Sequence, residues 1–333
     1  MGRRLAVVVA AIGLVGSIAC GGSGSGSSPS GSASPGSMTD LRITATGLDQ
    51  LPFMAILQVA VDKGWFKDGG LNVTISSGGG GGNTIRAVTT GDADMTIGGN
   101  TASVLAAQKE PNLKIIGPWF QSDDFYWIGT QAISSPSELS GKTLGFSGAG
   151  STTELLVKVV ANKAAPGIKT TPVGAMGNNW AAAKSGRIFA GWAMHPFVNE
   201  RQAEGGKVVV SAADYVPDFV ADLVMVNTDY AKQHPEAVKS FWKVVTKADA
   251  YVVNNTHEAA ADLAKVMKDE PAAVEAGLKA TPKFKSAYSV KVDAAALKSI
   301  SDLMVSQGQI SKPIDWKAFM DQQYLPKEDR ANF

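Results

Sequence analysis

The sequence has very few residues of the kinds that build disulfides and metal centres. Its 333 residues include one cysteine, Cys20, and three histidines, His195, His234 and His257. One cysteine excludes an internal disulfide and a thiolate metal site, and no two histidines stand at a metal-ligand spacing. Charge is nearly balanced, because 31 basic and 30 acidic side chains leave a formal net charge of +1. Nucleic-acid binding, which needs clustered Lys and Arg, is therefore not expected.

Catalytic and nucleotide-binding motifs are also missing. The glycine run of "SGGGGGNTIR" (77–86) is not followed by the Gly-Lys-Ser/Thr of a P-loop, and Asn83 stands where a dinucleotide fingerprint needs its third glycine. In "GFSGAG" (145–150) the glycine after Ser147 comes one place too late for a hydrolase nucleophile elbow. We therefore predict that the chain is not an enzyme and holds no cofactor and no metal.

The first residues are typical of a secretory signal. Arg3 and Arg4 precede an apolar run, 5–18, which is short for a membrane span and ends at Cys20. This arrangement resembles a bacterial lipoprotein signal, residues 1–20, which implies lipid attachment at Cys20; a plain secretory signal that leaves a free thiol is the alternative.

Residues 21–38 are rich in Gly and Ser, which is typical of a flexible linker.

From Asp40 onward, strand patterns alternate with helix patterns. Apolar residues recur at helical spacing in 51–64 and 151–163, and short β-branched or apolar runs lie between such segments. This alternation predicts an α/β fold with mainly parallel sheets. A Ser/Pro-rich break precedes a second α/β unit, and an almost wholly helical tail follows. We predict two lobes joined by crossing strands with a ligand cleft between them, the first formed by 39–130 plus 222–333 and the second by 131–221.

Several stretches resemble type 2 periplasmic solute-binding proteins of the sulfonate, taurine and nitrate kind, a superfamily that also includes thiamine-pyrimidine binders and synthases. The most specific are "GLDQLPFMAILQVAVDKGWFKDGGLNVTI" (47–75) and "SPSELSGKTLGFSGAGSTTELLV" (135–157). Two departures concern the ligand class: Asn100-Thr101-Ala102 replaces a common proline, and Arg187-Ile188-Phe189 replaces the usual "VDA". The resemblance implies the periplasmic-binding-protein type 2 fold and capture of a small solute for an ABC permease.

Three turns that lead from a strand into a helix supply candidate ligand contacts. In this fold, ligands lie at the carboxyl ends of strands, where helix N-termini offer free N–H groups and a partial positive charge. The glycine run is either such a turn or a slack surface loop, and Ser151 is a ligand contact, a helix N-cap, or both. The candidates from these turns are Gly79, Gly80, Asn83, Thr84, Asn100, Thr101, Ser147, Ser151 and Thr152.

Aromatic and other polar residues complete the candidate site. Trp192 is chosen as a pocket wall because the resemblance places a tryptophan or its equivalent against the cleft, and Phe53 is expected to face it from the other lobe. Each aromatic residue has a core role as its alternative. His195 is either a ligand contact or a buried structural histidine, and Gln50 before the first helix is included as a further contact.

These features predict an extracytoplasmic, lipid-anchored substrate-binding protein that closes by hinge bending on a small organic anion. Its expected partners are the ligand, an ABC permease with its ATPase, and the membrane through the lipid anchor; we expect a monomer. A pyrimidine or an aromatic acid is the alternative ligand. A pyrimidine-synthase-like enzyme and a sensor domain are alternative functions, although a synthase would need a cysteine-rich segment that this chain lacks.

Overall fold

A computed structural model describes residues 38–78, 81–216 and 218–333. The strands that it contains are β1 (Thr39–Ala45), β2 (Leu71–Ser77), β3 (Met95–Gly99), β4 (Leu113–Pro118), β5 (Tyr126–Gly129), β6 (Thr143–Phe146), β7 (Lys169–Pro172), β8 (Ala190–Ala193), β9 (Lys207–Ser211) and β10 (Asp222–Asn227). The helices between them are α1 (Pro52–Asp62), α2 (Trp65–Asp68), α3 (Gly81–Thr89), α4 (Asn100–Lys109), α5 (Thr152–Ala164), α6 (Met176–Lys184) and α7 (Phe197–Ala203). After β10 the chain is helical, with α8 (Thr228–Gln233), α9 (Pro235–Asn254), α10 (Thr256–Met267), α11 (Pro271–Ala280), α12 (Phe284–Ala287), α13 (Ala294–Ser306) and α14 (Trp316–Phe319).

The strands form two five-stranded sheets, which define two lobes. The first sheet has the order β2-β1-β3-β10-β4, and the second has the order β7-β6-β8-β5-β9. Within each sheet three neighbouring strands are parallel, whereas β10 in the first and β5 in the second run antiparallel to their neighbours. The parallel strands are linked through helices, as the alternating pattern predicts.

Two segments carry the chain between the lobes. The outgoing crossing, 119–125, connects β4 to β5, and the return crossing, between β9 and β10, leads back into the first sheet. The two crossings are hydrogen-bonded to each other: the Ala221 amide donates to the Phe120 carbonyl at 2.7 Å, and the Ala212 amide donates to the Phe125 carbonyl at 2.8 Å. Paired crossings restrict relative motion of the lobes to hinge bending.

The helical tail packs mainly on the first lobe and also contacts the second. Helix α9 buries Phe241 and Trp242 completely, and Phe241 stacks against Phe66 with ring centroids 6.3 Å apart. Helix α13 contacts both α4 and α5, and α11 contacts α7. The tail helices thus contact elements of both sheets' lobes.

The predicted domain division stays a prediction, although the sheets bear on where it would fall. Strand β5, which the division at residue 130 assigns to the first lobe, hydrogen-bonds within the second sheet. Strand β10 begins the return to the first sheet at Asp222. In the described part of the chain, no helix combines the length and the apolar character that a membrane crossing requires.

Candidate functional site

A cleft of about 470 Å³ lies between the lobes, at the carboxyl ends of the parallel strands. Residues of both lobes line it, and most of them belong to turns between a strand and the following helix. Its lining from the first lobe includes Thr46, Gly47, Asp49, Gln50, Leu51, Phe53, Ser77, Asn83, Gly99 and Ala102, with Ala221 and Asp222 at the start of β10. The second lobe contributes Ser147 to Thr153, Gly174, Ala175, Met176, Trp192 and Met194, and Phe125 lies on the crossing. This position is the expected ligand site of an open α/β sheet.

Several helices begin at the cleft. At the start of α5, side-chain hydrogen bonds fix the turn that precedes the helix. The Ser151 side chain caps this helix by accepting from the Glu154 amide at 3.1 Å. The hydroxyl groups of Ser147 and Ser151 lie 2.7 and 3.0 Å from the Thr153 hydroxyl. Among the described residues, no acceptor is found for the amides of Thr152 and Thr153. This turn therefore presents two free N–H groups at the positive end of a helix.

The lobes touch directly beside this turn. The Thr152 hydroxyl of the second lobe donates to Asn100 Oδ1 of the first lobe at 3.1 Å. A side chain at Gly99 would collide with Thr152, since a Cβ there would lie 2.5 Å from the Thr152 hydroxyl. The glycine thus permits close approach of the two lobes at the edge of the cleft.

Seven of the predicted contacts line the cleft: Gln50, Phe53, Asn83, Ser147, Ser151, Thr152 and Trp192. Thr84 is buried beneath the cleft, and its hydroxyl lies 3.1 Å from that of Thr46, which lines it. The predictions at Gly79, Gly80 and Cys20 fall outside the described residues.

Asn100 and Thr101 lie behind the cleft rather than on its surface. Both are completely buried. Hydrogen bonds fix both the backbone and the side chain of Asn100. Its amide and its Nδ2 donate to the carbonyls of Ala221 and Val220 at 2.9 and 2.6 Å, and its Oδ1 accepts from the Thr101 hydroxyl at 2.9 Å. Asn100 therefore fixes the return crossing to the start of α4.

His195 lies at a buried position, as expected for a structural histidine, which was the alternative to a ligand contact. It is 7% exposed, its Nδ1 lies 2.6 Å from Asp124 Oδ1, and its amide donates to Asp124 Oδ2 at 3.1 Å. Burial raises the pKa of Asp124, and the hydrogen bonds from His195 oppose that rise. The pair joins the outgoing crossing to the second lobe and is not part of the cleft lining.

Three aromatic side chains form apolar walls of the cleft. Phe53 is 4% exposed and stacks on Phe120 with ring centroids 3.9 Å apart, so it belongs to the core as well as to the cleft. Trp192 is half-buried, and its Nε1 donates to the Gly174 carbonyl at 2.9 Å. Phe125, on the crossing, is the third. Such walls suit the apolar part of an organic ligand.

The charges around the cleft differ from the expectation for a simple anion site. Among its described lining residues, the ionisable side chains are the carboxylates of Asp49 and Asp222, and no Lys, Arg or His is included. Asp49 is exposed at the rim, whereas Asp222 is 8% exposed. Burial raises the pKa of Asp222 to about 7. Arg201 of α7 is not part of the lining and pairs with Glu200 and Glu204.

Asp222 is the main residue that reasoning from the sequence missed. The signal was present, because the acidic residue Asp222 lies within the mainly apolar stretch "VADLVMVN" (220–227). A charge at that place is costly to bury and calls for a reason. No group of three or more His, Cys, Asp or Glu side chains suited to a metal ion is found in the part of the chain that the structure describes.

Comparison with solved structures shows the same fold at low sequence identity. The ligand-binding component of an ABC-type import system from Staphylococcus aureus, solved with zinc bound, is 15% identical, with a TM-score of 0.74 over 88% of this chain and 100% of that chain. The alkanesulfonate-binding protein SsuA from Xanthomonas axonopodis pv. citri, bound to MOPS, is 16% identical, with a TM-score of 0.67 over 86% and 99%. The desulfurization enzyme DSZB is 16% identical, with a TM-score of 0.61 over 85% and 97%.

These similarities confirm the predicted fold class, the two-lobed α/β fold of periplasmic binding proteins. No curated protein matched the sequence. The sequence model of the family described as NMT1/THI5 like matches residues 52–259, which is more than half of the chain. The chain therefore belongs to the NMT1/THI5-like family.

Proposed function

We propose that this protein is the substrate-binding component of an ABC importer and captures a small organic anion by closure of its two lobes. The observation that carries the proposal is the cleft between the lobes, where strand ends and helix N-termini from both lobes meet. A ligand that contacts both lobes stabilises the closed arrangement over the open one. The ligand-binding component of an import system shares this fold, which supports the transport role.

A sulfonate is the favoured anion. The amides of Thr152 and Thr153, at the start of α5, suit a negatively charged oxygen group. The hydroxyl-lined turn and the apolar walls fit a ligand with an anionic head and an organic body. The alkanesulfonate-binding protein is a relative in fold, and taurine and nitrate belong to the same ligand class in this proposal.

The cleft favours binding over catalysis. Its Ser147 and Ser151 hydroxyls are hydrogen-bonded to Thr153 rather than to a general base. The chain's only cysteine, Cys20, belongs to the N-terminal segment. The similarity to a desulfurization enzyme concerns the fold, and turnover of a bound sulfonate by the purified protein would contradict our proposal.

The aromatic walls support one alternative ligand class. Phe53, Phe125 and Trp192 offer flat apolar surface, which would also accept a pyrimidine or an aromatic acid. In either case the proposed contacts are Gln50, Phe53, Gly79, Gly80, Asn83, Thr84, Ser147, Ser151, Thr152 and Trp192, while Asn100, Thr101 and His195 act by holding the crossings in place.

The proposed location is extracytoplasmic. The segment 1–20 would direct export, Cys20 would carry the lipid, and 21–38 would tether the binding unit to the outer face of the membrane. A slack tether lets the loaded protein reach a permease, to which it would deliver its ligand as a monomer. A sensor domain would share the fold and the cleft, and failure to bind an importer would favour that role.

Binding is tested by thermal unfolding with taurine, alkanesulfonates, nitrate, aromatic acids and pyrimidines. A ligand at about 100 times its Kd should stabilise the protein by about 2.7 kcal/mol. We expect Trp192→Ala to weaken binding at least tenfold because it removes a cleft wall.

Phe197→Ala is the matched control for that substitution. Phe197 is another half-buried aromatic residue of the second lobe, and it packs against Arg201 outside the cleft. This variant should keep the ligand-induced shift. Equal losses of binding in both variants, or no shift with any compound of the panel, would contradict the proposed site.

A further inference from the structure

The Asp222 carboxylate is placed where a ligand would meet it. Asp222 is the first residue of β10, and its backbone is fixed because its carbonyl accepts from the Trp119 amide at 2.9 Å and it pairs with Gly99 in the sheet. The residue is 8% exposed and still lines the cleft. Within the described residues, its side chain has neither a hydrogen bond nor an ion pair.

A buried carboxylate without a partner is unfavourable in the empty protein. Removing an ionised group from water costs several kcal/mol unless another charge or hydrogen-bond donors replace the water. The cleft lining supplies no cation for this purpose among the described residues. Two arginines of the first lobe have partners elsewhere: Arg86 donates to Asn83, and Arg42 pairs with Asp94.

The ionisable groups near Asp222 either face the solvent or already have partners. Asp49 is solvent-exposed at the rim, and Asp124 and His195 on the adjoining elements are paired with each other. Burial is the cause of the raised pKa of Asp222, about 7, and a positive charge beside the carboxylate would favour its ionised form. A positive charge on the ligand would give the Asp222 carboxylate an ionic partner.

We infer that the ligand carries a protonated amino group in addition to its anionic group, and that Asp222 binds that amino group. This inference rests on the proposed function. The anionic end lies at the start of α5, where the amides of Thr152 and Thr153 are free, and the cationic end lies at Asp222 on the opposite lobe. Such a zwitterion holds the two lobes together through both of its ends. The substrate class is therefore the aminoalkanesulfonates rather than simple alkanesulfonates or nitrate.

Two ligands of nearly equal shape test the inference. Taurine and propane-1-sulfonate differ in an ammonium group that replaces a methyl group. We expect calorimetric titration of the full chain at pH 8 to give at least tenfold tighter binding of taurine. The preference should fall by about tenfold at pH 6, because Asp222 takes up a proton there while the ammonium group stays charged.

Substitution assigns the preference to one residue. Asp222→Asn should bind taurine and propane-1-sulfonate with similar affinity and without the pH dependence. Asp214→Asn, which removes an exposed carboxylate of the return crossing outside the cleft, should retain the wild-type preference. Circular dichroism checks that both variants are folded, and the wild-type comparison of the two ligands needs no variant.

The outcomes separate the two proposals. If wild-type protein binds propane-1-sulfonate as tightly as taurine, or binds sulfonates more tightly at pH 6 than at pH 8, then Asp222 does not bind an amino group, although the protein is still a sulfonate binder. The second result would mean that protonated Asp222 donates a hydrogen bond to the anion. If neither sulfonate binds, the proposed sulfonate function fails and the inference fails with it.

Discussion

At the scale of single residues, Asp222 is an ionisable group whose burial opposes folding. Every other residue of "ADLVMVN" except Asn227 is buried in the sheet interior with an apolar side chain. Asp222 is also buried, but its carboxylate gains nothing from that burial in the empty protein. The free energy that the fold gives up here becomes available to ligand binding, since a bound cation relieves it.

Stability of the empty protein should reveal this cost through pH. The folded pKa of Asp222, about 7, exceeds the unfolded value of 3.8, so the folded state holds a proton that the unfolded state has lost. The stabilisation that this bound proton gives the folded state is therefore fully present below about pH 4, and it is lost as the pH rises to about 7. Asp222→Asn has no carboxylate and avoids this loss. The difference in the free energy of unfolding, variant minus wild type, should therefore be larger at pH 8 than at pH 5 by roughly 1–3 kcal/mol.

Urea unfolding of both proteins at the two pH values measures the effect, with Asp214→Asn as the control for a general change in charge. A difference between Asp222→Asn and wild type that is the same at pH 5 and pH 8 would mean that the carboxylate is well solvated in the empty cleft.

At the scale of elements, α6 is positioned by glycines in the sheet beneath it. A Cβ at Gly191 of β8 would lie 2.5 Å from the Asn179 Cβ and 2.9 Å from its carbonyl carbon and oxygen, and a Cβ at Gly145 of β6 would collide with Asn179 Oδ1. Asn179 Nδ2 in turn donates to the Gly174 carbonyl at 2.8 Å. Because Gly174 also accepts from Trp192, this close packing sets one edge of the cleft.

Gly191→Ala should therefore destabilise the second lobe and displace the start of α6. Overpacking against backbone that cannot move freely costs about 1–3 kcal/mol, and we expect ligand affinity to fall as Gly174 and Trp192 shift. Denaturant unfolding and titration with the ligand measure the two effects. Gly177→Ala on α6 itself has no atom within 4 Å of the new Cβ, and it should be neutral or slightly stabilising. Equal behaviour of the two variants would contradict the packing argument.

Elements with strong local signals could be predicted from the sequence, and those fixed by tertiary contacts could not. Helix α5 has apolar residues at helical spacing behind the Ser151 cap, and the sequence predicted it within one residue at each end. Helix α6 was missed because its first turn, "MGNN", is polar and rich in glycine and asparagine. Strand β5 has only four residues and depends on pairing with β8 and β9.

The site was predicted in part for the same reason. Turns that follow a strand and begin a helix can be recognised locally, and they supplied Ser147, Ser151 and Thr152. Whether a polar side chain points into the cleft or behind it depends on distant residues. Asn100 illustrates this, because its partners Val220 and Ala221 lie far away in the sequence.

At the scale of the whole molecule, the described residues link the lobes through the paired crossings and through the helical tail, where Asn162 of α5 donates to Gln307 after α13 at 2.9 Å. A further side-chain hydrogen bond links the lobes at the cleft edge. That bond, from Thr152 to Asn100, spans the lobes. It favours the closed arrangement by the modest amount typical of one hydrogen bond, about 0.5–1.5 kcal/mol. A contact made by the chain itself thus contributes to the closed arrangement.

Thr152→Val keeps the shape of the side chain and removes this bond. We expect the ligand-free protein to become more open, with a larger radius of gyration in X-ray scattering, and ligand affinity to fall about 2- to 10-fold. Thr143→Val, in the same lobe and outside the cleft lining, serves as the control. An unchanged radius together with lower affinity would assign Thr152 to ligand contact alone.

The sheet order also has a consequence for the sequence of events during synthesis. All strands of the second sheet come from one continuous stretch, β5 to β9, so that lobe can acquire its native pairing as soon as Ser211 has emerged from the ribosome. The first sheet has to wait, because β10 must insert between β3 and β4. A ribosome-bound chain whose β9 has emerged while β10 is still in the exit tunnel should therefore contain a protected second lobe and an incomplete first lobe, although synthesis of the first lobe began earlier.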